Sequence, residues 1–338
     1  APPDRIPAGM NDASSKPLVL LGGLIHPAGM QLAEEDGRIR HRVVEDEPAA
    51  LAAALPEADA LVLRLARLTA EMVDAAPRLK VVSRHGVGCD NVPVEHLTAK
   101  GIPVMTTGDA NSLAVAEHAL FLMFAAARQA TALGKASRTG DWAARHAHPT
   151  FELAGRRLLV AGCGRIGALF VARAAALGMR VTVYDPYVDD SAYAALGAAR
   201  CTDLDAALPE TDFLSLHLPS IGRPLVGAAQ LAALPDHAIL INVARGDLVD
   251  EEALAAALAE GRLAGAGLDV LAAEPYDPAH PLLALDNVVV TPHTAALTGE
   301  SRKRMGVACV RNAIEVACGA APDPAMVFNP GWADRAAG

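Results

Sequence analysis

The chain is poor in cysteine, and what it has is not arranged for joint use. Its five cysteines (Cys89, Cys163, Cys201, Cys309, Cys318) are odd in number, widely spaced and without any CxxC pair. That pattern suggests neither a disulfide framework nor a structural zinc site, and it fits a reducing cytoplasm. A secretory signal is also missing: Asp4, Arg5 and several prolines stand where an apolar core would be. No long apolar run is free of polar groups, since the most apolar stretch, Leu113 to Ala127, contains Glu117 and His118, so no membrane span is expected. There is no block of like charge, no internal repeat and no low-complexity tract. The net charge of −10 argues against nucleic acid or an anionic membrane as the main partner, and leaves local basic residues to meet any anionic substrate. The segment before Met10 reads as a leader outside the fold.

What is present is ample core. A length of 338 residues with 52% hydrophobic and 20% charged residues is enough for two globular domains. From Pro17 onward, short apolar runs alternate with alanine-rich helical windows. The first group of strands is expected at Leu18 to Leu21, Ala60 to Leu63, Val81 to Ser83 and Val104 to Met105. Helices are expected between them at Glu47 to Leu55, Thr69 to Ala76 and Pro93 to Lys100. A long helix should run from about Ser112 to Ala136, because Gly and Pro are absent until Gly134 and either Asn111 or Ser112 can cap its start. A second group of strands follows at Leu158 to Ala161, Val181 to Tyr184, Phe213 to Leu216, Ile239 to Val243, Gly267 to Val270 and Val288 to Thr291. Runs this short and uninterrupted suit parallel sheets covered on both faces. A closing helix over about Thr298 to Cys318 would return to the first domain. The expectation is therefore two Rossmann-like, doubly wound α/β domains: a discontinuous one over 10–110 and 298–338, and an inserted one over 111–297, with a cleft between them for substrate.

The most informative stretch is Leu158 to Asp185. An apolar strand leads into Gly162-Cys163-Gly164-Arg165-Ile166-Gly167, a helical window follows, and a second strand ends at Asp185, 18 residues past Gly167. A bare GxGxxG is weak evidence, but in this strand–helix–strand setting it reads as a dinucleotide site. Gly162 permits the tight turn, Gly164 lets the backbone approach a pyrophosphate, and Gly167 lets the helix pack close, so that the diphosphate meets the backbone of Arg165 and Ile166 at the positive helix end. A carboxylate at Asp185 accepts from ribose hydroxyls and repels a 2′-phosphate, which favours NAD over NADP.

Hydride transfer from an alcohol needs a base for the hydroxyl proton and, for an acid substrate, a cation for the carboxylate. Arg245 lies just past one predicted strand and His293 just past another, where ligands bind in open α/β sheets. Asp269 ends a strand between them, with Glu274 in the loop beyond. A Glu bonded to an imidazole raises the pKa of the ring and fixes its tautomer. Each residue alone has a blander reading, and most of the eleven histidines must be core or surface residues. The joint placement carries the inference.

These segments, together with Arg84-His85-Gly86-Val87-Gly88-Cys89-Asp90-Asn91-Val92, Asn111-Ser112-Leu113-Ala114-Val115-Ala116-Glu117-His118 and His217-Leu218-Pro219, resemble the D-isomer-specific 2-hydroxyacid dehydrogenases from about Leu18 to Asn329. Within that family the chain is most similar to the phosphoglycerate dehydrogenase branch. The resemblance implies that Arg245 holds the substrate carboxylate, His293 exchanges the hydroxyl proton, Glu274 orients His293, and Asp269 contacts the nicotinamide side. It also implies cofactor contacts from His217, Pro219 and Ala244, a substrate contact from Asn111, and a carboxylate contact from the Val87 and Gly88 amides. Arg64, with Arg84 nearby, falls where that branch holds a phosphate, although a surface charge is an equal reading of Arg64. Leu65 and His85 replace residues that are usually Ser and small, and the chain ends before the regulatory domain that many such enzymes carry. The implied protein is a homodimer acting on a small anionic 2-hydroxy or 2-oxo acid, with the long helix and the Trp142 arm reaching over the partner. Alternatives are a glyoxylate or hydroxypyruvate reductase on the same scaffold, or an NAD(H)-sensing corepressor.

Overall fold

A computed structural model describes residues 16–187 and 195–336. The segment before Met10 lies outside the described residues. The chain divides into two compact units: unit 1 runs up to Asn111 and resumes at Gly299, and unit 2 is Ser112–Thr298.

Unit 1 holds a five-stranded sheet made of β1 (Leu18–Gly22), β2 (Arg40–Val44), β3 (Ala60–Leu63), β4 (Val81–Arg84) and β5 (Val104–Met105). Their order is β2-β1-β3-β4-β5 and every pairing is parallel. Side chains alternate between two cores as the period of two requires: Leu18 and Leu20 join one cluster, Val19 and Leu21 the other. The second cluster is closed by the helix Gly299–Ala317 through Cys309, Val310, Ala313 and Ile314.

Unit 2 is a seven-stranded parallel sheet of β6 (Arg157–Ala161), β7 (Arg180–Tyr184), β8 (Ala199–Cys201), β9 (Phe213–Leu216), β10 (Ile239–Asn242), β11 (Gly265–Leu268) and β12 (Val288–Val290), in the order β12-β11-β10-β9-β6-β7-β8. The strand order reverses at β6 and β9, which makes a topological switch point there. Leu158 and Val160 face one core and Leu159 and Ala161 the other. The expected fold class of two doubly wound parallel sheets is what the chain forms.

Three expectations need correction. The long helix is two: Ser112–Ala127 and Ala130–Thr139 are separated at Gln129, which takes a left-handed φ of 52°. The Ala127 carbonyl released at the break accepts the Phe151 amide, and Thr131 bonds to the Val288 carbonyl, so tertiary contacts override good helix-forming residues. Strand β11 starts and ends two residues earlier than expected, leaving Asp269 just beyond it. Two further strands, β2 and β8, and a helix, Pro27–Glu35, complete the sheets and their cover.

Candidate active site

The functional residues of unit 2 lie at the carboxyl ends of its strands. β6 ends at Ala161, and Gly162 turns with φ 94°; a Cβ there would lie 2.6 Å from the His217 carbonyl oxygen, because the chain leaving β9 crosses directly against the turn. The His217 amide donates to Ala161 O at 2.7 Å and locks that crossing. A Cβ on Gly167 would lie 2.2 Å from Gly162 O, so the helix Arg165–Ala176 sits tightly on the loop. Gly164, which precedes the helix, is different: a Cβ there would meet nothing within 4 Å. The first-turn amides of that helix have no acceptor within it and no side-chain cap, and they adjoin this open face.

Asp185 follows β7 directly. Its Oδ2 accepts the Cys163 amide at 2.7 Å and its Oδ1 the Tyr187 amide at 2.9 Å, which sets the carboxylate against the glycine loop. The His217 ring packs on Phe170 at 4.7 Å, and its Nε2 is 2.8 Å from Ser215 Oγ. Its Nδ1 is shut off from solvent without a partner among the described residues. Burial pushes His217 down to about 3, so the ring is neutral at pH 7. Pro219 is exposed in the loop beyond, and Ala244 is buried with its amide donating to Asn242 Oδ1. An open glycine face at a helix start, an acid at the next strand end and an orphaned ring nitrogen beside the loop fit a dinucleotide.

At the other half of the same sheet edge, His293 Nδ1 lies 2.6 Å from Glu274 Oε2. That contact leaves Nε2 as the ring nitrogen open to a substrate. The Glu274 hydrogen bond raises the His293 pKa above its ordinary value, against the opposing effects of burial and Arg245. His293 is one of two described non-glycine residues with positive φ, at 51°, a conformation costing of order 1–3 kcal/mol unless its surroundings hold it. Asp269 holds it. The Asp269 carbonyl accepts the His293 amide at 2.8 Å, while its carboxylate accepts the Thr294 and Ala295 amides at 2.9 Å and the Thr291 hydroxyl at 2.5 Å. Burial would raise the Asp269 carboxyl, but hydrogen bonds from His118, Thr291 and the two amides outweigh it and keep the group below the usual range. Arg245 stands three residues beyond β10, and its carbonyl is held by Asn242 Nδ2 at 2.8 Å.

The remaining predicted residues belong to unit 1. Arg84 ends β4, but its guanidinium is committed to the loop: Nε donates to Asn91 Oδ1 at 3.1 Å and Nη1 to His85 O at 2.7 Å. Asn91 in turn donates to the carbonyls of Arg64 and Ala66. Arg84 thus shapes the Gly86–Gly88 turn, whose Val87 and Gly88 amides donate to nothing among the described residues. His85 is pushed down to about 4 by burial and by the cations Arg64, Arg84 and Arg302, which marks a cationic cluster beyond β3 and β4. Asn111 is buried with Oδ1 unpartnered among the described residues.

A cavity of about 520 Å³ near Arg157, Arg180 and Arg200 is lined by none of these residues. No metal-binding cluster and no helix long and apolar enough to cross a membrane occur among the described residues. Sequence reading assigned no role to His118, Thr291, Asn91 or Asn242, which act on the functional turns through hydrogen bonds. The one signal available was position: His118 and Asn91 lie inside quoted motifs, and Asn242 and Thr291 at the ends of expected strands.

Residues 120–295 match the family model described as "D-isomer specific 2-hydroxyacid dehydrogenase, NAD binding domain". The chain is 39% identical over 273 residues to a glyoxylate reductase of Korarchaeum cryptofilum, an alignment covering 79% of this chain and 82% of that one. The chain belongs to this family. NAD is the cofactor of the unit that carries the glycine loop. A D-3-phosphoglycerate dehydrogenase of Mycobacterium tuberculosis is 42% identical over 295 residues, covering 86% of this chain and 55% of that one. The chain therefore spans about half the length of its phosphoglycerate dehydrogenase relatives. Among solved structures, a D-lactate dehydrogenase from Aquifex aeolicus, complexed with NAD and lactic acid, superposes with a TM-score of 0.77 at 26% identity, covering 87% of this chain and 93% of that one.

Proposed function

We propose that the protein is an NAD-dependent D-2-hydroxyacid dehydrogenase of the phosphoglycerate dehydrogenase type, interconverting a small 2-hydroxy acid and the 2-oxo acid. The observation that carries this reading is the 2.6 Å contact between His293 and Glu274 at the strand ends of an NAD-binding unit. His293 Nε2 takes the hydroxyl proton in oxidation and returns it in reduction. Glu274 holds the opposite ring nitrogen and stabilises the imidazolium that forms. Arg245 pairs with the substrate carboxylate. NAD, when bound at the glycine loop and Asp185, supplies the acceptor for the hydride that leaves C2 as the C2–O bond becomes a carbonyl. In unit 1 we assign the Val87 and Gly88 amides, Asn111 and Arg64 to the anionic and polar groups of the acid, with Arg84 shaping their loop.

A second reading, reduction of glyoxylate or hydroxypyruvate, is supported by the 39% identity to a glyoxylate reductase over 273 residues. Initial rates with NAD and 3-phosphoglycerate, glycerate or lactate, and with NADH and glyoxylate or hydroxypyruvate, test both. Highest kcat/KM for 3-phosphoglycerate supports the first reading, and preference for the oxo acids supports the second. Tight NAD binding without turnover of any of them would overturn both and favour a sensing role.

A homodimer in the cytoplasm completes the proposal. Its support is the five free cysteines and the exposed apolar stripe of Leu113, Phe121 and Phe124 along one helix. Light scattering at micromolar concentration checks the dimer, and a monomer would refute it.

A further inference from the structure

One titratable side chain beside the candidate acid–base pair has no part in the reading above. His118 lies in the second turn of the helix Ser112–Ala127, one-fifth exposed, with its ring 5.4 Å from that of Phe121. Its Nε2 is 2.8 Å from Thr291 Oγ1 and 3.4 Å from Asp269 Oδ1. Thr291 Oγ1 is in turn 2.5 Å from Asp269 Oδ1. An ionised carboxylate only accepts, so the Thr291 hydroxyl spends its one proton on Asp269 and must accept from His118. The donor sequence is therefore His118 Nε2–H to Thr291 O–H to Asp269.

Asp269 is the template on which the His293 turn is built. If its carboxylate turns away, the Thr294 and Ala295 amides lose their acceptor together, and the left-handed backbone at His293 keeps only its amide bonds to the Asp269 and Thr291 carbonyls. His118 and Thr291 fix that carboxylate at Oδ1, the oxygen that also accepts the Thr294 amide. We propose that His118 is a positioning residue for His293: through Thr291 and Asp269 it ties the Ser112–Ala127 helix to the turn that presents the imidazole to Glu274. The charged groups facing His293 are Glu274, Asp269 and Arg245, and His118 reaches it through the second of these. The inference rests on His293 being the proton acceptor, but its first test does not need turnover.

The test is an NMR titration of the His293 imidazole in the full chain without substrate, in wild type, His118→Ala, His118→Gln and Thr291→Val, followed by kcat and KM. Loss of the tie should let the raised His293 pKa fall toward the ordinary imidazole value in His118→Ala and Thr291→Val. It should also lower kcat about tenfold, a typical consequence of losing an outer-shell partner, with substrate KM little changed. The amide N–H of His118→Gln should restore most of both. The double variant should lose no more than either single one, since both break one chain of hydrogen bonds. An unchanged His293 titration in a folded His118→Ala, or additive losses in the double variant, would overturn the proposal. Should His118→Ala not fold, an unmoved His293 titration in Thr291→Val overturns it. Failure of the parent reading looks different: His293→Ala would keep turnover while the titration coupling persisted.

Discussion

His293 Nδ1 and Glu274 Oε2 meet at 2.6 Å although both side chains are exposed enough to reach solvent. An ion pair in such a setting contributes little to folding, so its consequence lies in proton affinity. Glu274 raises the imidazole pKa, and oxidation needs the neutral ring, so kcat/KM for the hydroxy acid should rise with pH through a midpoint above the ordinary value of about 6.5. Glu274→Gln should move that midpoint to lower pH and reduce the plateau, while His293→Ala should cost about 10² to 10⁴ in rate. Stability runs the other way: what the pair adds is present below the unfolded imidazole value and is lost as pH rises through the folded one. A pH–rate profile whose midpoint is the same in Glu274→Gln would remove Glu274 from the mechanism.

Arg245 is assigned to a planar, two-oxygen group, and a guanidinium fork meets such a group with two parallel hydrogen bonds that an ammonium cannot reproduce. Arg245→Lys should therefore lower kcat/KM by more than about tenfold while leaving NAD affinity unchanged. Comparable kinetics across a panel of hydroxy acids would show that the carboxylate is held elsewhere.

The parts of the fold legible in the sequence are those where physics leaves little choice. β1, β3, β6, β9 and β10 are buried on both faces, so each is a mostly apolar run, with Ser215 in β9 the one polar residue inside such a run. β2 and β8 escaped notice because each is an edge strand pairing on one side only. The sequence Arg40-His41-Arg42-Val43-Val44 has the solvent-facing chemistry that an edge demands. The kink at Gln129 was illegible because nothing local breaks the helix there. At the site, GxGxxG, Arg245, Glu274 and His293 were readable as residue types in a pattern. The link from His118 to Asp269 was not, since it joins positions far apart in the chain through two side-chain rotamers that no periodicity encodes.

Asp185 binds the glycine loop through Cys163 N, and its assignment to the adenosine ribose implies that selectivity for NAD rests on repulsion of a 2′-phosphate. Asp185→Asn keeps a carbonyl oxygen for the Cys163 amide and removes the charge. The ratio of kcat/KM for NADP over NAD should rise at least about tenfold with little change in melting temperature. A ratio unmoved by the substitution would mean that other groups exclude the phosphate.

Two glycines of the same motif should fail in different ways. A methyl group at Gly167 would stand 2.2 Å from the Gly162 carbonyl oxygen, which is backbone and cannot step aside. Gly167→Ala should therefore lose stability by about 1–3 kcal/mol through forced separation of helix and loop. A methyl group at Gly164 meets nothing within 4 Å, so Gly164→Ala should melt like wild type yet bind NAD more weakly, because the methyl occupies the face that the diphosphate approaches. Thermal melts with and without NAD separate the two. Equal melting temperatures for both variants would contradict the packing, and unchanged NAD affinity in Gly164→Ala would contradict the cradle.

His85 gives unit 1 an acid sensitivity that can be measured without substrate. Burial and the nearby cations Arg64, Arg84 and Arg302 push its pKa down to about 4, whereas in the unfolded chain it binds a proton near 6.5. Between those values the unfolded state holds a proton that the folded state refuses, so stability falls as pH falls. The loss reaches at most about 1.4 kcal/mol per pH unit for one such group. Urea melts between pH 7 and pH 5 separate the buried imidazoles from the carboxylates, whose lowered values release stability only at more acidic pH. His217, pushed down to about 3 in unit 2, adds a second slope of the same sign. His85→Gln should leave stability at pH 7 nearly unchanged and flatten the unit 1 slope, while the slope from His217 persists. If His85→Gln retained the full wild-type acid dependence, the His85 ring would have to titrate normally, and the crowding of cations beyond β3 and β4 would have to be relieved by solvent.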